Sequence, residues 1–205
     1  MTKEKLIQKL INDGYLKTPA IIEAFKNIDR TDFVPENLKE IAYENKPLSI
    51  GFNQTISQPL TVAFMLELLE PKIGEKILDI GSGSGWQTAL LAHIVGIQGK
   101  VVSIERIPEL KLLAEKNLGK YNFQNITKIV QGDGAQGFAS EYPFDKIIAA
   151  ASGKSLPAAW KNQLKINGRI VAPIGESIFV FKKESQNKFS EKQYFGFSFV
   201  PLILD

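Results

Sequence analysis

The sequence predicts an α/β protein with a doubly wound, mostly parallel seven-stranded sheet, an antiparallel hairpin near its C-terminal end and a helical cover at its N-terminus. Three observations carry this expectation. From residue 76 onward, short β-rich runs alternate with helical runs. A glycine-rich turn, Gly81-Ser-Gly-Ser-Gly85, joins one such strand to a helix. Only Gly175-Glu-Ser177 separates two later strands, too little for a crossover helix, so that pair must run antiparallel.

In chain order, Leu6, Ile7, Leu10 and Ile11 recur at helical spacing. Thr18-Pro19 supplies a cap and first helical position for a helix over residues 19–27. Residues 30–50 mix proline, asparagine and charge with scattered aromatics and read as a loop-rich cover. Residues 61–70 form an apolar helix. Strands at 76–80, 101–105, 126–131, 144–150 and 169–174 then alternate with helices at 86–95, 108–118 and 156–164. Gly96 ends the first of those helices. Residues 178–182 return across the hairpin, and 194–202 supply one more strand. On this reading the 205 residues are a single domain, with 1–60 as cover and 61–205 as core.

Composition narrows the chemistry. The hydrophobic content of 44% can supply a full core, and the net charge of +3 arises from 25 basic against 22 acidic side chains spread along the chain. No basic tail invites nucleic acid. The absence of cysteine excludes disulfides, thiolate nucleophiles and zinc–thiolate sites. His93 is the only histidine and lies in an apolar run, where it reads as a helix-face residue rather than a metal ligand or a catalytic base. No segment is long and apolar enough to span a bilayer. The N-terminus runs into a charged amphipathic pattern rather than a signal peptide. A cytoplasmic monomer with no metal, membrane or nucleic-acid partner is expected.

The acids at the strand ends suggest a ligand. Asp79 precedes the glycines, which fall at G-x-G-x-G through Gly81 and Gly83, not at the G-x-G-x-x-G spacing of dinucleotide sites. An acid at that position opposes a pyrophosphate and suits the cationic amino-acid end of S-adenosylmethionine. Glu105 ends the second strand, where a carboxylate can accept from both ribose hydroxyls. Asp133, in Gly132-Asp-Gly134, can accept from an adenine amino group. Glu105 and Asp133 are also suited to capping the helices that follow. A parallel sheet finished by an antiparallel hairpin is the layout of the common methyltransferase fold.

Beyond the core pattern, the sequence resembles the protein-L-isoaspartate O-methyltransferase family. The resemblance runs through Arg30 with Phe33-Val-Pro35, Ala42-Tyr43, Pro47, Ile50-Gly51, Gln54-Thr-Ile-Ser-Gln-Pro59 and the stretch from Asp79 to Gln87. It continues through Ile104-Glu105-Arg106, Gly132-Asp-Gly134, Pro143-Phe-Asp145, Gln163-Leu164, Pro173-Ile-Gly175 and Phe199-Val-Pro-Leu202. The resemblance implies that Ser57 is the active-site residue on a loop that closes over cofactor and substrate. It implies substrate contacts from Gln54, Gln58, Pro59, Val200 and Leu202, and cofactor contacts that include Thr55, Ile56, Arg106 and Gly134. The expected substrate is a protein or peptide bearing an isoaspartyl or D-aspartyl residue, and the expected products are its methyl ester and S-adenosylhomocysteine. By the same resemblance, the ester then closes to a succinimide without the enzyme.

Two departures from the family pattern stand out: Asn53 where glycine is usual, and Asn45 where aspartate is frequent. Asparagine tolerates positive φ better than other residues with a side chain, so Asn53 is predicted to be left-handed. Other methyltransferase classes fit less well. Cytosine-C5 chemistry needs a cysteine, and Ala149-Ala-Ala-Ser-Gly153 stands where adenine-N6 enzymes carry Asp/Asn-Pro-Pro-aromatic. A small-molecule O-methyltransferase and a non-catalytic cofactor-binding protein remain alternatives to a repair enzyme.

Overall fold

The structure, a computed structural model, describes residues 1–203. Helices α1 (Lys3–Asn12) and α2 (Pro19–Asn27) are followed by two 3-10 turns, Arg30–Phe33 and Glu36–Ile41. A small antiparallel hairpin comes next, β1 (Leu48–Gly51) and β2 (Gln54–Ile56). The core then runs α3 (Pro59–Leu69), β3 (Lys76–Ile80), α4 (Trp86–Val95), β4 (Lys100–Glu105), α5 (Pro108–Gly119) and β5 (Thr127–Gln131). It finishes with β6 (Phe144–Ala149), α6 (Ala158–Gln163), β7 (Leu164–Ile174), β8 (Ser177–Ser185) and β9 (Lys188–Phe195). Pro19, Pro59 and Pro108 open their helices, where a missing N–H costs nothing.

The seven-stranded sheet has the order β5-β4-β3-β6-β7-β8-β9. The first five of these strands are parallel, and β8 and β9 join antiparallel. Chain order reverses at β3, which lies between β4 and β6, so the carboxyl ends of these strands form the crevice where open α/β sheets bind ligands. Residues of α1 to α5 share one apolar cluster with Ile77, Val101, Ile148 and Val171 of the sheet. Trp160 of α6 packs with Leu78, Ile80, Val102 and Phe144 on the other face. The pleat alternates along β3, so Ile77 belongs to the first face and Leu78 and Ile80 to the second.

The structure corrects the reading of the chain at four places. The last strand is Lys188–Phe195, not residues 194–202. Gly196, with φ of +91°, turns the chain out of β9, and residues 197–203 return irregularly over the strand ends, held by the Ser152–Pro201 bridge. The sequence signal misleads because β9 is a mostly exposed edge strand rich in polar residues, whereas the apolar run beyond it packs on the site and on α3, where Phe197 stacks on Phe64 at 5.4 Å. Helix α6 is shorter than expected and passes directly into β7, which begins at Leu164. Thr18 occupies the N-cap of α2, but its hydroxyl donates to Glu67 at 2.7 Å rather than capping the helix. Finally, the loop-rich cover contains the β1–β2 hairpin, whose strands are too short to leave a periodic pattern.

Candidate active site

A cavity of about 460 Å³ lies at the carboxyl ends of β3, β4, β5 and β6. That volume falls within the range of small-molecule sites. Its floor is the glycine turn, with Gly81 and Gly83. All three glycines of the turn have positive φ, +88°, +54° and +95° for Gly81, Gly83 and Gly85, a path that side chains resist. Asn117 of α5 donates to the Ser84 carbonyl at 2.9 Å and so ties the turn to the neighbouring helix.

Glu105 lines the cavity from the end of β4. One carboxylate oxygen accepts from Gly83 N–H at 2.8 Å and the other from Ile107 N–H at 3.0 Å. Each oxygen keeps a free lone-pair site, so the residue can cap and still receive ligand hydroxyls. Asp133 is spent locally: Oδ1 accepts from Ala135 N–H at 2.8 Å, and the side chain does not line the cavity. Gly132 and Gly134 do line it. A Cβ on Gly134 would come within 2.5 Å of Ile80 Cγ2, so the close approach there requires glycine. Trp160 Nε1 fixes this turn by donating to the Gly134 carbonyl at 2.8 Å. Ile80, Ile104, Ile107 and Leu110 give the same end an apolar wall.

Asp79 differs from its expected role. It is fully buried and points away from the cavity, on the α4 side of β3. Gln87 donates to it at 2.8 Å, Thr88 at 2.6 Å and Ser103 at 3.1 Å. Burial pushes its carboxyl up to about 6, against the lowering effect of those three donors. Pleat parity decides this geometry: Asp79 alternates with Leu78 and Ile80, and its face looks onto the first turn of α4. It anchors the glycine turn from beneath.

The opposite wall is the strap that leaves β2. Gln54, Thr55, Ser57 and Gln58 line the cavity, joined by Thr61 in the first turn of α3. Ile56 is buried behind the strap, and Pro59 is buried at the start of α3; neither lines the cavity. Ser57 is partly exposed, and its hydroxyl has no hydrogen-bond partner among the described residues. Arg106, Val200 and Leu202 also line the cavity. Residues 198–203 close the remaining side, held when Ser152 N–H donates to the Val200 carbonyl at 2.8 Å and Leu202 N–H to the Ser152 carbonyl at 2.8 Å.

Three supports of the strap were not singled out as site residues from the sequence. Asn45 Oδ1 accepts from Leu60 N–H at 2.9 Å, so it satisfies the start of α3 from outside the helix. Its carbonyl accepts from Gln58 Nε2 at 3.0 Å. That role needs only an oxygen acceptor, which explains why asparagine serves where aspartate is frequent. The Arg30 guanidinium donates to the Ser57 carbonyl at 2.6 Å. Its residue type was visible in the Arg30/Phe33-Val-Pro35 pattern, but its target was not. The third support is the hairpin turn: Phe52 and Asn53 have φ of +53° and +56°, as a two-residue type I′ turn demands. Asn53 is therefore left-handed, as its residue type predicts.

The donor set suits S-adenosylmethionine. A carboxylate at the end of β4, a side-chain-free turn and an apolar slot bounded by Gly132 and Gly134 match a ribose, an amino-acid moiety and an adenine respectively.

The family model described as "Protein-L-isoaspartate(D-aspartate) O-methyltransferase (PCMT)" matches residues 1–204. The protein-L-isoaspartate O-methyltransferase of Ignicoccus hospitalis is 41% identical over 98% of this chain and 97% of its own. That of Methanopyrus kandleri is 38% identical over 98% of this chain and 91% of its own. A solved protein-L-isoaspartate O-methyltransferase superposes with a TM-score of 0.88 at 28% identity, covering 98% of this chain, which spans 65% of that one. A Plasmodium falciparum structure of the same description, in complex with S-adenosyl-L-homocysteine, shares the fold with a TM-score of 0.88 at 24% identity. Matched from its first helix to its last described residue, the chain belongs to the protein-L-isoaspartate(D-aspartate) O-methyltransferase family.

Proposed function

We propose that the chain repairs damaged proteins by methylating the free α-carboxylate of L-isoaspartyl and D-aspartyl residues. The observation that carries this reading is Ser57. Its hydroxyl, unpartnered among the described residues, stands on a strap that shares one cavity with the glycine turn and Glu105. S-adenosylmethionine, when bound, supplies an electrophilic methyl group on a sulfonium.

The nucleophile comes with the substrate. An isoaspartyl residue continues through its side-chain carbonyl and leaves its α-carboxylate free and ionised near neutral pH, so no general base is needed. Ser57 donates a hydrogen bond to one carboxylate oxygen and leaves the other free to react. Thr61 and the start of α3 favour the negative charge. Gln54, Gln58, Val200 and Leu202 hold the flanking peptide, with Pro59 setting the direction of α3. Glu105 receives the ribose, Gly132 to Gly134 the adenine, and Gly81 and Gly83 the amino-acid end, with Asp79 fixing the turn. Thr55 and Arg106 complete the cofactor wall, Ile56 backs the strap from the core, and Asp133 shapes the adenine turn. The strap and residues 197–203 exclude water, and orientation of this kind can supply roughly 7–11 kcal/mol of barrier reduction. Residues 1–60 act as cover and 61–205 as core. We assign the enzyme to the cytoplasm as a monomer acting on protein, with neither nucleic acid nor membrane as partner.

The test is methyl transfer to an isoaspartyl peptide beside its aspartyl twin. Only the isoaspartyl peptide is expected to be labelled, and Ser57→Ala should reduce that labelling. Equal labelling of both twins, or of neither while RNA is labelled, would overturn the proposal.

A further inference from the structure

Arg30 is a buried cation that no carboxylate pairs among the described residues. Only 1% of its surface is exposed, yet no ion pair reaches it among the described residues. Nearby Asp29 is occupied by Thr31 and Tyr43. The guanidinium donates to two backbone carbonyls, Ser57 at 2.6 Å and Lys46 at 3.3 Å, and lies 4.4 Å above the Trp86 ring. Its Nε has no partner among the described residues. Burial lowers its pKa to about 9, so it stays cationic at neutral pH.

An unneutralised buried charge is costly, and buried ions are ordinarily paired. Holding two carbonyls does not require a charge. The guanidinium sits directly behind Ser57, and Trp86 is the residue that follows the glycine turn, so one side chain braces both the strap and the start of α4. We propose that Arg30 is a positioning residue whose charge is balanced by the substrate: it fixes Ser57 through the backbone and makes that end of the cavity favour an anionic carboxylate over a neutral acyl group. This rests on the assignment of Ser57 to the substrate carboxylate.

The experiment compares two probes, a short isoaspartyl peptide and the same peptide with its α-carboxylate converted to a carboxamide. Binding is measured by calorimetry with saturating S-adenosylhomocysteine for the wild type, Arg30→Met and Arg30→Lys. The wild type is expected to prefer the carboxylate. Arg30→Met should cut that preference at least tenfold while S-adenosylhomocysteine affinity stays within threefold. Arg30→Lys should retain the preference but lose kcat, because an ammonium keeps the charge without the fork that spans two carbonyls. A merely structural role would weaken both peptides equally. An undiminished preference in Arg30→Met, or an equal loss in Met and Lys variants, overturns the proposal. If Arg30→Met does not bind S-adenosylhomocysteine, Arg30→Lys alone decides, and loss of its preference overturns the proposal. A wild type that binds both probes equally overturns the Ser57 assignment itself, and this inference with it.

Discussion

The N–H of Gly83 donates to the carboxylate of Glu105 at 2.8 Å, joining the glycine turn after β3 to the acid at the end of β4. Glu105 thus holds the floor of the cavity as well as facing it. Glu105→Ala is expected to weaken S-adenosylhomocysteine binding by roughly 1.5–3 kcal/mol, the scale of charge-assisted hydrogen bonds. Glu105→Gln keeps an acceptor for one of the two N–H groups and should lose less. Calorimetry on folded variants measures both, and unchanged affinity in Glu105→Ala would place the ribose elsewhere.

The hairpin that carries the strap turns through two left-handed residues, Phe52 and Asn53. Asn53→Gly should leave activity nearly intact, since glycine accepts this φ freely. Asn53→Val should impair it by about 1–3 kcal/mol, part of which appears as a raised peptide KM. Phe52 is bulky and poorly suited to its φ of +53°. Phe52→Asn is therefore expected to stabilise the fold by about 1 kcal/mol, read as a rise in Tm of about 2–4 °C. A valine variant with unaltered kinetics, or an asparagine variant that melts lower, would contradict this account of the turn.

Asp79 gives stability a pH dependence of unusual sign for a carboxylate. Its folded pKa is raised from 3.8 to about 6, so the folded protein binds this proton more tightly than the unfolded chain does. Its contribution is greatest below the unfolded value, is lost as pH rises through the window between the two values, and is constant above it. The loss amounts to about 3 kcal/mol. Asp79→Asn removes the titration, so the stability of wild type relative to the variant should fall by about that amount between pH 4 and 6.5. Denaturant unfolding across that range measures it, and a pH-independent difference would refute the assignment.

Metal removal is expected to change nothing. The substrate nucleophile is already anionic. Methyl transfer measured with and without EDTA should proceed at the same rate. Loss of activity with EDTA, restored by magnesium, would point to a metal-dependent small-molecule methyltransferase.

The chain alone determined the succession of strands and helices, the turn at Gly81 to Gly85 and the position of Glu105 at a strand end. Those features are local: side-chain period, glycine spacing and the point where a strand stops can be read within a few residues. The left-handed Asn53 was legible for the same reason. Only the tertiary structure decided where the polar groups point. Asp79 lies in the expected place, but the pleat of β3 turns it toward Gln87 and Thr88 instead of the cavity. Arg30 meets the carbonyl of Ser57, and Asn45 meets the N–H of Leu60, because packing of the cover on α3 and α4 brings those segments together. The final strand moved to Lys188–Phe195 because an edge strand facing water carries little apolar pattern, whereas the aromatic run beyond it was shaped by the cavity it closes. Most buried donors and acceptors find a partner, and which one they find is set by the elements that pack around them.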